Sequence, residues 1–385
     1  MSVPNRKLRI GVIFGGKSGE HEVSLQSAKS VMDALDPLHY TTIPIGISKD
    51  GRWHVGKGAW KALDAKQPAA LPAKSAENAS SPSKRFINRE IQGLSSVEVR
   101  RSPDWLPPAL VNEIDVVFPV LHGTFGEDGT IQGLLEMVGI PYVGSGVLAS
   151  ALGMDKIAMK QVFSAVGIPQ ARWVGFTRAS WTQDNGRIVR EIEEQLGYPC
   201  FVKPANLGSS VGISKARDQR ELVQAVHLAL TYDRRVIVEE AIDAREIEIG
   251  ILGNDHPMAS VAGEILPKRE FYDYEAKYQD GGAELRIPAD LSAEERKAVE
   301  SYAIQAFQAI DGAGLARVDF FVERGTGRVL VNEINTMPGF TRFSMYPKLW
   351  EASGLAYDKL LDRLIELALE RHAERSQLLR SYDKA

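Results

Sequence analysis

Within Leu315–Asn335 (LARVDFFVERGTGRVLVNEIN), Arg317 and Asp319 stand two apart on one apolar run, and Glu333 and Asn335 two apart on the next. Successive strand side chains point to opposite faces, so each pair shares a face of its strand. The ERGTGR between the runs supplies the turn residues of a hairpin loop. If Arg317 lies opposite Asn335 and Asp319 opposite Glu333, the four polar groups converge on one side. The ERGTGR connection is expected to hold that register. Two carboxylates and an amide oxygen are hard oxygen ligands suited to Mg²⁺, in a kind of site that leaves room for substrate phosphates. An arginine beside them stabilises an anion. Phosphoryl transfer is the chemistry this set would serve. The spacing fits an edge hairpin with solvated charges equally well, because charged residues are mostly exposed.

Other segments carry chemistry of the same kind. Gly11 to Ser18 (GVIFGGKS) satisfies the Walker A expression. That mechanism needs a loop of amides around a phosphate, whereas Val12, Ile13 and Phe14 read as strand interior. A glycine turn at the carboxyl end of an open sheet is the reading adopted, with Glu20 placed to receive an ammonium group or to cap a helix. In HGTFGEDGT (122–130), three glycines, two acids and His122 follow a buried strand, a setting that lines sites or forms a plain surface turn. FVKPANLGSSVGISK (201–215) sets Lys203 at the end of an apolar run, before a glycine-serine loop whose amides can approach phosphate oxygens and whose small residues let it move as a lid. VIVEEAI (236–242) carries Glu239 and Glu240, acids able to accept from an amine or from ribose hydroxyls. KREFYDYEAKYQDGG (268–282) reads either as an Ω-loop over a site or as an ordinary surface loop.

The elements that must position these residues follow a readable order. LRIGVIFGG, the helix-like EHEVSLQSAKSVMDAL and TTIPIGIS run strand, helix, strand, which favours a parallel sheet covered by helices. IDVVFPVLHG (114–123) and IPYVGSG (140–146) read as further strands. Roughly residues 57–104, rich in Ala, Ser, Pro and Lys, read as an insertion. A helical stretch over 150–167 opens the next part, with helices around 187–196 and 218–230, and YDKLLDRLIELALERHAE closes the chain as an amphipathic helix. The fold class is α/β, with an open parallel-sheet unit over 1–147, then units over 148–240 and 241–385. At 385 residues, several domains are expected. The net charge of −4 offers no electrostatic pull toward nucleic acid or anionic membrane. Cys200 is the single cysteine, which excludes an internal disulfide and a cysteine-rich metal site. The polar start and the short apolar run Ile10 to Phe14 read as neither signal peptide nor membrane span, so a cytoplasmic protein is expected.

Taken in order, GGKSGEHEVS, LHGTFGEDGTIQG, MDK, VKPANLGSSVGISK, EFYDYEAKY and NEINTMPGFT resemble the motifs of the ATP-grasp ligases, and within them the D-alanine–D-alanine ligase family. The match spans residues 11 to about 345 apart from the insertion. It implies a two-subdomain ATP-grasp fold (α+β) after the first unit, and ligation of two D-alanines through an acyl phosphate to make the cell-wall dipeptide. Lys156 and Lys203 match the lysines that hold ATP phosphates. Glu239, Glu240 and Ile242 match the adenine strand, and Glu246 the acid that takes the ribose. Asp319, Glu333 and Asn335 match ligands of two Mg²⁺ ions, with Mn²⁺ as a substitute. Arg317 and the Gly339 amide match the oxyanion stabilisers, and Glu20 the acceptor for the first D-alanine's ammonium. Glu20, Ser209 and Tyr278 correspond to a hydrogen-bonded triad, with Ser210 beside it in the phosphate loop. Lys277, Ser344 and Met345 match positions near the second D-alanine and the nucleotide, and His122 a site histidine. A homodimer is implied, with no nucleic-acid or membrane partner. A depsipeptide ligase that takes D-lactate, a P-loop NTPase using Lys17 and a silent nucleotide-binding protein are the rival readings. Tyr278 argues against the first, and the intact Asp319, Glu333 and Asn335 set against the last.

Overall fold

The computed structural model describes residues 6–64, 113–208, 211–267 and 283–379. The first apolar run becomes β1 (Leu8–Gly15), flanked in parallel by β2 (Tyr40–Ile47) and β4 (Val116–Pro119), with β3 (Trp53–Val55) antiparallel at the β2 edge. From Ile10 onward β1 is apolar because both its faces are covered. Ile10, Val12 and Phe14 enter one core, and Ile13 enters another that includes Ile131 and Leu135 of α3 (Thr130–Val138). On the first face lie α1 (His21–Ala34) and, from the far end of the chain, α10 (Tyr357–Ser376). Leu360, Leu361, Leu364 and Leu367 of α10 are buried there. Each such leucine contributes roughly 1.5–3 kcal/mol, enough to fasten the last helix to the first sheet.

Several local expectations are refined. Val12, Ile13 and Phe14 are strand, and the turn begins at Gly15 and Gly16 with φ of 90° and 96°, so the Walker-like string makes no phosphate loop. A Cβ on Gly15 would overlap the Ile47 carbonyl. IPYVGSG forms no strand; Tyr142 makes only an isolated bridge to Val117, because Gly144 (φ 99°) soon turns the chain away. The start of the supposed insertion is folded: α2 (Gly58–Asp64) packs on β2, and its Trp60 stacks on Phe14 with ring centroids 4.3 Å apart. The rest of that segment lies outside the described residues.

The helical stretch after residue 146 is two helices, α4 (Val147–Met154) and α5 (Lys156–Ala165). They break at Asp155, whose carboxylate accepts from Ala158 N at 2.9 Å and pairs with Arg235 at 2.6 Å. This satisfies an amide that the start of a helix leaves without a partner. The second sheet is antiparallel in the order β5 (Trp173–Thr177), β8 (Arg235–Glu240), β6 (Cys200–Pro204), β7 (Ser214–Ala216). Its core is shared with α6 (Arg178–Gln195) and α7 (Gln219–Tyr232). α6 breaks at Asp184 (φ −156°, ψ 80°), whose carboxylate accepts from Arg187 N at 2.9 Å; the part beyond the break is the helix expected around 187–196, and a short stretch capped by Thr177 and Ser180 precedes it.

The third sheet orders β11 (Ala283–Arg286), β10 (Met258–Pro267), β9 (Ala244–Gly253), β12 (Gly314–Glu323) and β13 (Val329–Asn335), all antiparallel. Alternation along its central strands decides everything that follows. Ile247, Ile249 and Ile251 of β9, with Ala316, Val318, Phe320 and Val322 of β12, pack into a core shared with α8 (Ala293–Ala309). Their neighbours Glu246, Glu248, Arg317 and Asp319 must then project from the opposite face. Among the described residues, no helix is long and apolar enough to cross a membrane.

Candidate active site

The hairpin does build a polar face, by a route its turn does not explain. Near the ERGTGR connection Val322 faces Val329 and Phe320 faces Val331, a register one residue away from the expected one. Between that pair and the next, Asn332 is an extra residue on β13, and from there Asp319 faces Glu333 and Arg317 faces Asn335. The connection therefore does not hold the expected register; a β-bulge restores it. The bulge has a second effect. Val329 and Val331 are in the core, so strict alternation would send Glu333 and Asn335 there too. The inserted residue shifts the parity, and Ile334 is buried instead.

On that face the charges are tightly paired. Arg317 Nε and Nη2 each lie 2.7 Å from an Asp319 carboxylate oxygen, and Nε lies 3.0 Å from Glu248 Oε2. Burial alone would lower the Arg317 pKa, but Asp319 and Glu248 hold it well above its ordinary value, so the guanidinium stays charged. Asn335 Oδ1 accepts from Met337 N at 2.9 Å, which fixes the amide's orientation. Asp319, Glu333 and Asn335 are all hard oxygen donors beside open volume, a set that fits Mg²⁺.

Elements far apart in sequence close a cavity of about 250 Å³ over this face. Arg317, Glu333 and Asn335 line it, as do Glu20 at the start of α1, His122 after β4 and Lys156 at the start of α5. Gly339, Ser344 and Met345, around the start of α9 (Met345–Ala352), complete the wall. Asp319 borders an adjoining cavity of about 60 Å³ with Glu246, Glu248 and Glu333. Lys156 Nζ donates to Leu207 O at 2.8 Å and stands 4.0 Å from Glu333 Oε2. Ser344 Oγ accepts from Thr341 N at 3.1 Å, and Met345 packs with Ile265 and Leu349.

Lys203, Glu239, Glu240 and Ile242 line neither cavity and sit on the second sheet or just past it. Lys203 Nζ donates to Glu239 Oε2 at 2.7 Å, and Lys160 Nζ lies 3.5 Å from Glu239 Oε1. Burial would raise the Glu239 pKa, yet the two ammonium groups hold it at about 2. The Glu240 carboxylate is taken by Arg172, accepting from its backbone N at 2.8 Å and from Nε at 2.7 Å. Ser209, Ser210, Lys277 and Tyr278 lie outside the described residues.

His122 is buried, and both ring nitrogens are engaged: Nε2 is 3.0 Å from Ser27 Oγ, and Nδ1 is 3.0 Å from Met337 O and 3.5 Å from Glu127 Oε1. Burial pushes the imidazole pKa down, but the Glu127 contact outweighs it and the net shift is upward. Glu20, His122 and Glu127 offer ligand atoms within 4.8 Å of one another. With both imidazole nitrogens already hydrogen-bonded, this cluster is a poor metal site.

Sequence reasoning missed Lys160, Glu248 and Glu127 as site residues. Two had a readable signal. Lys160 lies one helical turn after Lys156 in MDKIAMK, on the same helix face, and Glu248 lies two after Glu246 on one strand face. Glu127 is one of the two acids of the 122–130 loop, and the fold of that loop brings it to His122.

Comparison with known proteins agrees with this geometry. Residues 9–145 match the family described as "D-ala D-ala ligase N-terminus", and residues 162–366 match "D-ala D-ala ligase C-terminus". A D-alanine–D-alanine ligase from Geobacillus thermodenitrificans is 50% identical over 98% of this chain and 100% of its own length. The solved D-alanine–D-alanine ligase of Coxiella burnetii superposes with a TM-score of 0.76 at 37% identity, covering 98% of each chain. VanG D-Ala:D-Ser ligase from Enterococcus faecalis gives 0.74 at 35% identity, covering 94% of this chain and 100% of that one.

Proposed function

The chain belongs to the D-alanine–D-alanine ligase family, with its ATP-grasp fold, and we propose that the cavity over β12 and β13 joins two D-alanines for peptidoglycan precursor synthesis. Catalysis in this family is ATP-dependent and requires a divalent metal. One observation carries the assignment to this cavity: an ammonium acceptor (Glu20), an oxyanion-stabilising guanidinium (Arg317) and hard oxygen donors (Glu333, Asn335) line one common cleft.

Glu20 holds the first D-alanine's ammonium, leaving its carboxylate to attack the γ-phosphorus. A P–O bond forms, the β,γ-bridging bond breaks and ADP departs. Lys156 and Lys203 hold phosphate oxygens, Glu239 to Ile242 seat the adenine, Glu246 takes the ribose, and the family resemblance assigns Lys277 and Ser210 to the nucleotide as well. Two Mg²⁺ ions at Asp319, Glu333 and Asn335, or Mn²⁺ in their place, would neutralise charge on the transferred phosphoryl group. The second D-alanine, its carboxylate met by Ser344 beside Met345, then attacks the acyl carbon through its neutral amine. That nitrogen loses a proton as phosphate leaves. Arg317 and the Gly339 amide stabilise the tetrahedral oxyanion between these events. His122 edges the first D-alanine's pocket. The family resemblance assigns Ser209 and Tyr278, outside the described residues, to a triad with Glu20, a role that would keep water from the acyl phosphate. We take 1–147, 148–240 and 241–385 as the working units of a cytoplasmic homodimer.

The test is ADP release measured with D-alanine, L-alanine, D-serine and D-lactate at several pH values. Turnover is expected with D-alanine and not with L-alanine, and Glu333→Ala should stay folded with little turnover. Near-normal phosphate release by Glu333→Ala would overturn the metal assignment, and absence of D-alanine-dependent ADP would overturn the ligase reading.

A further inference from the structure

α1 carries hydroxyls at Ser27 and Ser30, three residues apart and therefore on one helix face. Ser27 is fully buried, and its Oγ accepts from Phe340 N at 3.3 Å while lying 3.0 Å from His122 Nε2. The same imidazole reaches Met337 O through Nδ1 at 3.0 Å. One turn further along α1, Ser30 Oγ accepts from Arg342 N at 3.2 Å and lies 3.1 Å from Tyr357 OH, which donates to Phe340 O at 2.8 Å. The turn Met337–Pro338–Gly339–Phe340 is thus held on both sides of Gly339 by side chains from other parts of the chain. A buried hydrogen bond of this kind fixes position because losing it strands a polar group in the core.

We propose that Ser27, coupled to His122, is a positioning residue that sets the Gly339 amide against the developing oxyanion. This rests on the ligase reading above and adds to it a brace from α1, an element that contributes Glu20's end to the substrate and Ser27 to the catalytic turn. It also accounts for His122: with both nitrogens engaged, the ring acts on the reaction through the turn. Ser24, one turn earlier on α1, provides a contrast. Its Oγ donates to Val120 O at 2.5 Å and accepts from Gly15 N at 2.8 Å, touching no part of the turn.

The experiment compares Ser27→Ala with wild type and Ser24→Ala in steady-state and rapid-quench ADP assays. Misplacing one oxyanion donor should lower kcat of Ser27→Ala roughly 10- to 100-fold. KM for ATP should fall along with kcat, leaving kcat/KM for ATP within about 2-fold, since the slowed step follows ADP formation and phosphate contacts are untouched. Because only the second step is slowed, a burst of ADP close to one per site should precede the slow turnover. Ser24→Ala should show neither effect. Unchanged kcat in Ser27→Ala, a fall without a burst, or an equal fall and burst in Ser24→Ala overturns the proposal. Should Ser27→Ala fail to fold, Ser27→Cys, which keeps the volume and a weak acceptor, is read by the same criteria. Wild type that releases no ADP with D-alanine indicts the ligase reading instead, a failure distinct from these.

Discussion

Arg317 and Asp319 face each other as a two-point ion pair, with Nε and Nη2 each 2.7 Å from a carboxylate oxygen. Glu248 adds a second carboxylate 3.0 Å from the same guanidinium. The arginine therefore balances two carboxylates, buried Glu248 and half-buried Asp319, as well as facing the cavity. Arg317→Met should abolish ligation and also lower stability by about 3–5 kcal/mol, the cost of leaving buried charge uncompensated. Urea denaturation checks this. A loss below about 1 kcal/mol would show that the acids find other partners.

The Glu239 carboxyl sits at about 2 against an ordinary value of 4.5. A carboxyl whose folded pKa is depressed stabilises fully above its unfolded value, and that contribution disappears as pH falls toward the folded one. Stability on the order of 3 kcal/mol should therefore be lost between pH 4.5 and about 2, at roughly 1.4 kcal/mol per unit. Urea titrations from pH 7 down should show the gap between wild type and Glu239→Gln narrowing across that window. A gap independent of pH there would contradict the assignment.

Lys160 and Lys203 share Glu239 unequally. Lys203 hydrogen-bonds it at 2.7 Å, whereas Lys160, 3.5 Å away and with Nζ buried, finds no hydrogen-bond partner among the described residues. Burial lowers the Lys160 pKa despite the attraction of Glu239, so its charge is the expendable one. Lys160→Met should change stability by less than about 1 kcal/mol or raise it, while Lys203→Met should cost about 3 kcal/mol. Chemical denaturation of both variants decides, and equal losses would refute the asymmetry.

Cys200 is fully buried in the second sheet's core, and burial pushes its thiol up to about 11. The thiolate is the reactive form, so N-ethylmaleimide should leave the folded protein unmodified at pH 7 and add once in urea. Intact-mass spectrometry reads the outcome directly, and labelling of the folded state would show that the core opens under native conditions.

What the sequence by itself determined is local. Two-residue spacing put Arg317 with Asp319 and Glu333 with Asn335, because alternation is a property of any strand. The apolar run through Val12, Ile13 and Phe14 excluded a phosphate loop for the same reason, and the ordered motifs identified the family. Tertiary structure decided which strands pair and where a residue is inserted. The bulge at Asn332 rescued a hairpin register that the turn alone would have left with Glu333 and Asn335 in the core, a consequence of backbone pairing that no residue type announces. Burial decided the rest. Lys160 and Glu248 became partners of Glu239 and Arg317 only once distant elements enclosed them, since the energy of a charge depends on what surrounds it. The arrival of Ser27 at the Gly339 turn is of the same kind, a contact across more than three hundred residues that only the folded chain brings within 3.3 Å.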